Sequence, residues 1–179
     1  MKILLPVTQT FEIQILKLSK YREFVELLLL SLVTFLIPVF IGHPQVFVGI
    51  VVNALIVRTA LTMKKWKNLP TILLPSLGAL TRGILFGPVT VYLVYLIPFI
   101  WFGNLTLTFF TKLLGKSNLL LNIFGASVLK TLAIFLPTLL LVKISVIPDV
   151  FLKSMGMMQL ITAVVGSTLA QIVTKLEIR

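Results

Sequence analysis

Residues 69–111 read LPTILLPSLGALTRGILFGPVTVYLVYLIPFIWFGNLTLTFFT. The stretch is almost wholly apolar and is interrupted near its middle by Gly87-Pro88, with Arg82 and Asn104 inside the apolar runs. Glycine ends helices readily, and proline is favoured at the first helical position. The stretch therefore predicts a transmembrane helical hairpin with its corner at Gly87-Pro88.

The composition around the hairpin is that of an integral membrane protein. Of 179 residues, 58% are hydrophobic and 12% are charged, and the mean hydropathy is +1.10, whereas a soluble domain carries about 25% charged residues. The chain has no cysteine, which excludes disulfide and iron–sulfur chemistry. One histidine and five acidic residues leave little for a metal site or an acid–base pair. We expect no cofactor, no metal and no enzymatic activity.

Apolar runs outside the hairpin predict four further spans, because about 20 apolar residues cross a hydrocarbon core of about 30 Å. The chain is thus expected to be an all-α, polytopic six-helix transmembrane bundle over residues 24–175. Residues 1–23 mix apolar and charged residues, which is typical of a cytoplasmic or interfacial segment. The expected spans are 24–41, 45–63, 69–86, 88–111, 119–142 and 150–173.

Basic residues indicate the orientation. With six spans, eleven of the sixteen fall on the side of the N terminus: Lys2, Lys17, Lys20, Arg22, Lys64, Lys65, Lys67, Lys112, Lys116, Lys175 and Arg179. Cytoplasmic loops are enriched in lysine and arginine, so both termini are expected in the cytoplasm of a multi-pass cell-membrane protein. The net charge of +11 then needs no nucleic-acid partner.

Two cations lie deep within the expected spans, Lys130 near the middle of the fifth and Arg82 in the outer half of the third. A basic residue inside a bilayer costs roughly 2.5–3.5 kcal/mol on insertion scales, and neither has an acidic residue in its own span. Both suggest an anionic ligand or a water-filled pocket; snorkelling or contact with backbone carbonyls is the structural alternative. Arg58 in the second span can snorkel or pair with Glu26.

Other polar and aromatic residues in the spans are candidates for the same pocket. Asn53, Asn104 and Gln159 can bond a solute or join helices by hydrogen bonds; Asn104, toward the cytoplasmic half, favours the second role. Possible stacking surfaces for a solute are Tyr92, Tyr95 and Trp101.

Small residues mark places where helices can approach closely. Gly83 and Gly87 form a GxxxG pair in the third span. A second small-residue face in the sixth span comprises Thr162, Gly166 and Ala170. Both faces are expected to serve packing within the bundle or docking to another subunit.

Two segments, PSLGALTRGILFGPVTVYLVYLIPFIWFGN (75–104) and MGMMQLITAVVGSTLA (155–170), carry a resemblance. Together with the six-span topology they resemble S components of energy-coupling-factor transporters, or related small prokaryotic six-span proteins. The resemblance implies an outward-facing pocket for a vitamin-sized solute, and docking on a transmembrane coupling subunit driven by two ATPases. Many S components dock through an alanine-x-x-x-alanine face on the first span. Here the earliest alanine is Ala54, so docking through other small residues, or no docking, both stay open.

The expected function is capture of a small, anionic, vitamin-like solute by the membrane subunit of a transporter. Arg82 and Lys130 would supply the positive charge, and the solute and the lipid bilayer would be the partners. The alternative is a non-catalytic scaffold or accessory subunit, whose polar residues are structural only. A membrane enzyme is disfavoured, because the sequence has no nucleophile–base set or paired carboxylates.

Overall fold

The computed structural model describes residues 7–41, 43–64, 66–83, 87–114 and 118–177. They contain seven α-helices and a short 3₁₀ helix, and none of the described residues forms a strand, so the all-α prediction is confirmed. The α-helices are α1 (Val7–Phe40), α2 (Gln45–Thr62), α3 (Leu69–Arg82), α4 (Leu93–Leu114), α5 (Leu119–Lys143), α6 (Val150–Met155) and α7 (Met157–Glu177). The 3₁₀ helix, Gly87–Tyr92, leads into α4.

Five helical stretches are long and apolar enough to cross a membrane: Lys20–Phe40, Gln45–Thr62, Val89–Leu114, Leu119–Lys143 and Val150–Glu177. Their outer surfaces are apolar, since Phe102 and Leu140 are about 60% exposed, whereas the polar side chains of Asn53 and Lys130 are buried in the interior. A soluble protein shows the opposite distribution. This arrangement fits a multi-pass membrane protein.

The hairpin in the quoted stretch differs from its prediction. Helix α3 was expected to run to residue 86, but it ends at Arg82, because Gly83 adopts the left-handed conformation (φ 68°) and caps it. The corner therefore begins four residues before Gly87-Pro88. With 14 residues, α3 is about 21 Å long, and it is not among the five stretches long enough to cross.

The first and last expected spans also have different bounds. The first is the second half of one continuous helix that begins at Val7, so the described part of residues 1–23 is an extension of the span. The last is split at Gly156, whose backbone (φ −100°, ψ −101°) is not helical. A Cβ there would lie 2.8 Å from the carbonyl oxygen of Leu152, so only glycine fits this tight break.

Three helix pairs pack most extensively: α2 with α7, α4 with α5, and α1 with α3. Helix α2 is central and also touches α1, α3 and α4. Ion pairs join one end of the bundle, where Arg58 contacts Glu26 (3.0 Å) and Glu177 (2.7 Å), and Lys67 contacts Glu23 (2.6 Å). We call this the basic end. The distal end carries the α1–α2 turn, Arg82 and the α5–α6 turn.

The small-residue faces of the sequence have different surroundings. Gly166 lies where α7 crosses α2, and a Cβ there would be 2.7 Å from the Ile50 carbonyl oxygen; Thr162 and Ala170 are buried on the same helix. At Gly83 a Cβ would meet nothing within 4 Å. Among the described residues, Gly83 thus ends α3 and does not pack against another helix. The surroundings of Gly87 lie outside the described residues.

Candidate solute-binding site

Lys130 is the centre of the candidate site. It lies midway along α5 and is only 2% exposed, and its ammonium group donates a hydrogen bond to Oδ1 of Asn53 on α2. The ion pairs among the described side chains are all at the basic end, and none includes Lys130. An ammonium group has three donors, so an anionic ligand can accept the hydrogen bonds that Asn53 does not.

Asn53 is held in place from α7. Its amide nitrogen donates to Oγ1 of Thr162 at 3.2 Å, and that hydroxyl donates to the backbone oxygen of Gln159, also at 3.2 Å. The donor side of the amide is therefore engaged, and the acceptor side faces Lys130. Close approach of α2 and α7 makes this possible, since a Cβ at Gly49 would lie 2.8 Å from the Thr162 side chain.

A cavity lies beside Lys130 and is lined by residues of all seven α-helices. Its volume is about 100 Å³. One buried water needs about 10–15 Å³, so the cavity has room for several water molecules. Its apolar wall includes Val48, Pro75 and Leu93. Its polar groups include Gln45, Asn53, Ser76, Asn104, Lys130 and Gln159. No acidic residue is among the described residues that line it, so the cavity suits a small anion with an apolar part.

Contacts between α3 and α4 shape the opposite wall. Asn104 is buried and donates from Nδ2 to the carbonyl oxygen of Ile72 at 3.0 Å, so it both joins helices and lines the cavity. Trp101 donates from its indole nitrogen to Oγ of Ser76 at 2.8 Å. The tryptophan lies behind the wall and orients Ser76, which itself reaches the cavity.

Three residues expected in the site lie elsewhere. Arg82, at the distal end of α3, donates from Nη1 to the carbonyl oxygen of Val39, and thus binds a terminal carbonyl of α1. Tyr92 packs against an apolar cluster of the distal half, and Tyr95 is 54% exposed. The structure therefore brings Lys130, Asn53, Asn104 and Gln159 together at one cavity, and leaves these three and Trp101 outside its lining.

Three polar lining residues were missed from the sequence: Gln45, Ser76 and Ser154. For Gln45 a signal existed, because Gln45, Gly49 and Asn53 are spaced by four residues and share one face of α2. The two serines carried no comparable signal, since hydroxyls in membrane helices commonly bond their own backbone, as Ser76 does to Leu73.

No protein-family model matches the chain, and neither a curated protein nor a solved structure is similar to it at a significant level. The chemistry of the site itself must therefore carry the functional argument.

Proposed function

We propose that this chain is a membrane transport protein that captures a small anionic solute in the cavity beside Lys130. The observation that carries the proposal is the buried ammonium group, whose hydrogen-bond partner is a neutral amide. A charge in such surroundings is costly unless it is paired. A bound carboxylate or phosphate would supply the missing negative charge, while the apolar wall would cover the rest of the solute.

The size of the cavity bears on the kind of solute. Sites for drug-sized ligands have volumes of about 300–1,000 Å³, whereas this cavity has about 100 Å³. A solute of a few heavy atoms fits it directly. A vitamin-sized solute, which the resemblance to S components implies, requires the walls to move apart.

The proposal includes six crossings with both termini in the cytoplasm. It is supported by α3, which begins beside the Lys67–Glu23 ion pair at the basic end and reaches the end of α1 through the Arg82–Val39 contact. Helix α3 thus runs from one end of the bundle to the other, although it is short. The excess of lysine and arginine at the basic end favours the cytoplasm there. A coupling subunit with two ATPases remains the partner that the resemblance implies.

One observation favours the alternative of a scaffold or accessory subunit. The amide nitrogens of Asn53 and Asn104 already have protein acceptors, as they would in a bundle whose polar residues serve packing alone. Such a protein would gain no stability from any small anion.

Thermal unfolding of the purified protein in detergent separates these functions. The panel contains acetate, benzoate, nicotinate and inorganic phosphate. A ligand at one hundred times its dissociation constant stabilises a protein by about 2.7 kcal/mol, so one member should raise the melting temperature saturably. Lys130→Met should abolish that rise without lowering the melting temperature of the free protein.

Arg82→Met is the matched control, because it removes a cation that lies outside the cavity lining. It should keep the ligand-dependent rise, although the free protein loses a helix-end contact. Capture of a small anion at Lys130 is contradicted if no member stabilises the protein, or if Lys130→Met responds as the unaltered protein does.

A further inference from the structure

Buried polar groups are unevenly partnered along the bundle. At the level of the cavity, Lys130, Asn53 and Trp101 bond to protein, and at the distal end Nε of Arg82 has no hydrogen-bond partner among the described residues. On α4, α5 and α7 between the cavity and the basic end, six side chains at least nine-tenths buried have a polar atom with no hydrogen-bond partner among the described residues: Thr108, Thr111, Ser127, Ser167, Gln171 and Thr174. Ser31 on α1 and Asn68 before α3 are two further such side chains. Each such group destabilises the fold when neither protein nor water supplies a hydrogen-bond partner. Their concentration in one half of the bundle calls for a physical reason.

Half of the six side chains share one face of α7. Ser167, Gln171 and Thr174 are spaced by four and three residues and so share a face, and Gln159 at the cavity precedes Ser167 by about two turns. At 1.5 Å per residue, Thr174 lies about 22 Å along α7 from Gln159. Thr174 is three residues from Glu177, which pairs with Arg58 at the basic end.

The other half continue from the cavity along α4 and α5. Asn104 lines the cavity, and Thr108 and Thr111 follow it at helical spacing on α4. On α5, Ser127 lies one turn from Lys130 toward the basic end. Helix α5 packs against both α4 and α7, and Leu107, Ala126 and Ala170, the sequence neighbours of Thr108, Ser127 and Gln171, belong to one buried cluster. The three polar faces therefore lie around this cluster, between the cavity and the basic end.

This apolar cluster closes the region in the present conformation. Ile56, Val57, Leu107 and Ala126 are fully buried and pack together with Ala170. Ordered water commonly satisfies buried polar groups of this kind. Parting of the cluster would admit water to hydroxyls and an amide that now lack partners.

We propose that the polar faces of α4, α5 and α7 form a gated water route from the Lys130 cavity to the basic end. When this route is open, the chain itself would release its solute on the basic side. Solute release rests on the proposed function; the water route does not, and it can be tested without any solute.

The absence of cysteine from the sequence provides the test. Ser127→Cys and Ser167→Cys place single thiols on the route, and Val128→Cys and Leu169→Cys place matched thiols at similar depth on the exposed, lipid-facing sides of the same helices. Membrane vesicles carrying each variant are treated with a positively charged methanethiosulfonate. Route thiols should react about tenfold faster than their neighbours, because only a hydrated thiol forms the reactive thiolate readily. Equal rates within each pair would overturn the proposal.

Valine substitutions give a second measurement that does not depend on thiols. A dry hydroxyl without a partner destabilises the fold, so Thr108→Val and Thr111→Val would raise the melting temperature if the region stays dry. If the cluster parts often enough for water to reach both hydroxyls, the same changes should leave the melting temperature unchanged or lower it. A clear rise in both variants would count against the route even if Lys130 is shown to bind an anion.

Discussion

Asn53 sets the charge balance of the cavity, because it gives Lys130 an acceptor without giving it a negative charge. Its amide is held from behind by Thr162, so the oxygen that faces Lys130 is fixed in direction. An aspartate at the same position would have nearly the same shape, but it would be an internal counter-ion. The difference between the two side chains is therefore a direct test of anion capture.

We expect Asn53→Asp to lower the affinity for a stabilising anion by at least about tenfold, because the new carboxylate competes with the ligand for the ammonium group. Asn53→Ala is the control: it removes the amide, leaves the cation uncompensated and should lose less affinity. Titration of the melting temperature with the stabilising member of the anion panel measures both. Equal losses in the two variants would show that charge compensation is not the determining factor.

For a single residue, the sequence predicts its depth within a membrane span, but it does not predict the direction in which the side chain points around the helix axis. Lys130, Asn53, Asn104 and Gln159 were recognised as polar residues inside spans, and all four line the cavity. Arg82 was recognised by the same reasoning, yet a terminal carbonyl of α1 binds its guanidinium. The position of the α1 terminus depends on tertiary packing, which the local sequence does not contain.

At the level of elements, long apolar runs predicted the bounds of α2, α4 and α5 to within about five residues. Residues that commonly end helices were a poorer guide to where α3 ends. Residues 83–88 hold Gly83, Gly87 and Pro88, each able to end a helix. The chain uses the first of them. Pro75, by contrast, lies within α3 without ending it, as is common in membrane helices. Where several residues can each end the helix, the packing of α1 against α3 decides which of them does.

Close contact of α2 and α7 should make Gly166 intolerant of any side chain. In Gly166→Ala the added Cβ would lie 2.7 Å and 2.9 Å from backbone atoms of Ile50 and Ala54, and backbone cannot move aside as a side chain can. Overpacking of this kind costs about 1–3 kcal/mol. Gly125→Ala is the control, since its Cβ would meet atoms no nearer than 3.8 Å and alanine favours helix. Melting temperatures in detergent should fall for the first and hold or rise for the second.

On the scale of the molecule, whether the short α3 crosses the membrane determines on which side of the membrane α7 ends. If α3 crosses the membrane, Lys64 and Lys175 lie on one side and Ile144 on the other; if it does not, Lys64 and Lys175 lie on opposite sides. Single-cysteine variants at these positions, labelled in intact cells with an impermeant maleimide, distinguish the two topologies. We expect only Ile144→Cys to be labelled from outside. Permeabilised cells, in which all three should react, provide the control.

The three tight helix pairs have a mechanical consequence. Asn53 and Gln159 belong to the pair α2–α7, Asn104 and Lys130 to α4–α5, and Ser76 to α1–α3, so the cavity lies where the three pairs meet. If the proposed solute bridges Lys130 and Gln159, it would link the pair α4–α5 to the pair α2–α7. Binding would then shift whole helix pairs relative to one another, and the shift would reach the lipid-facing surface without any contact between the solute and that surface.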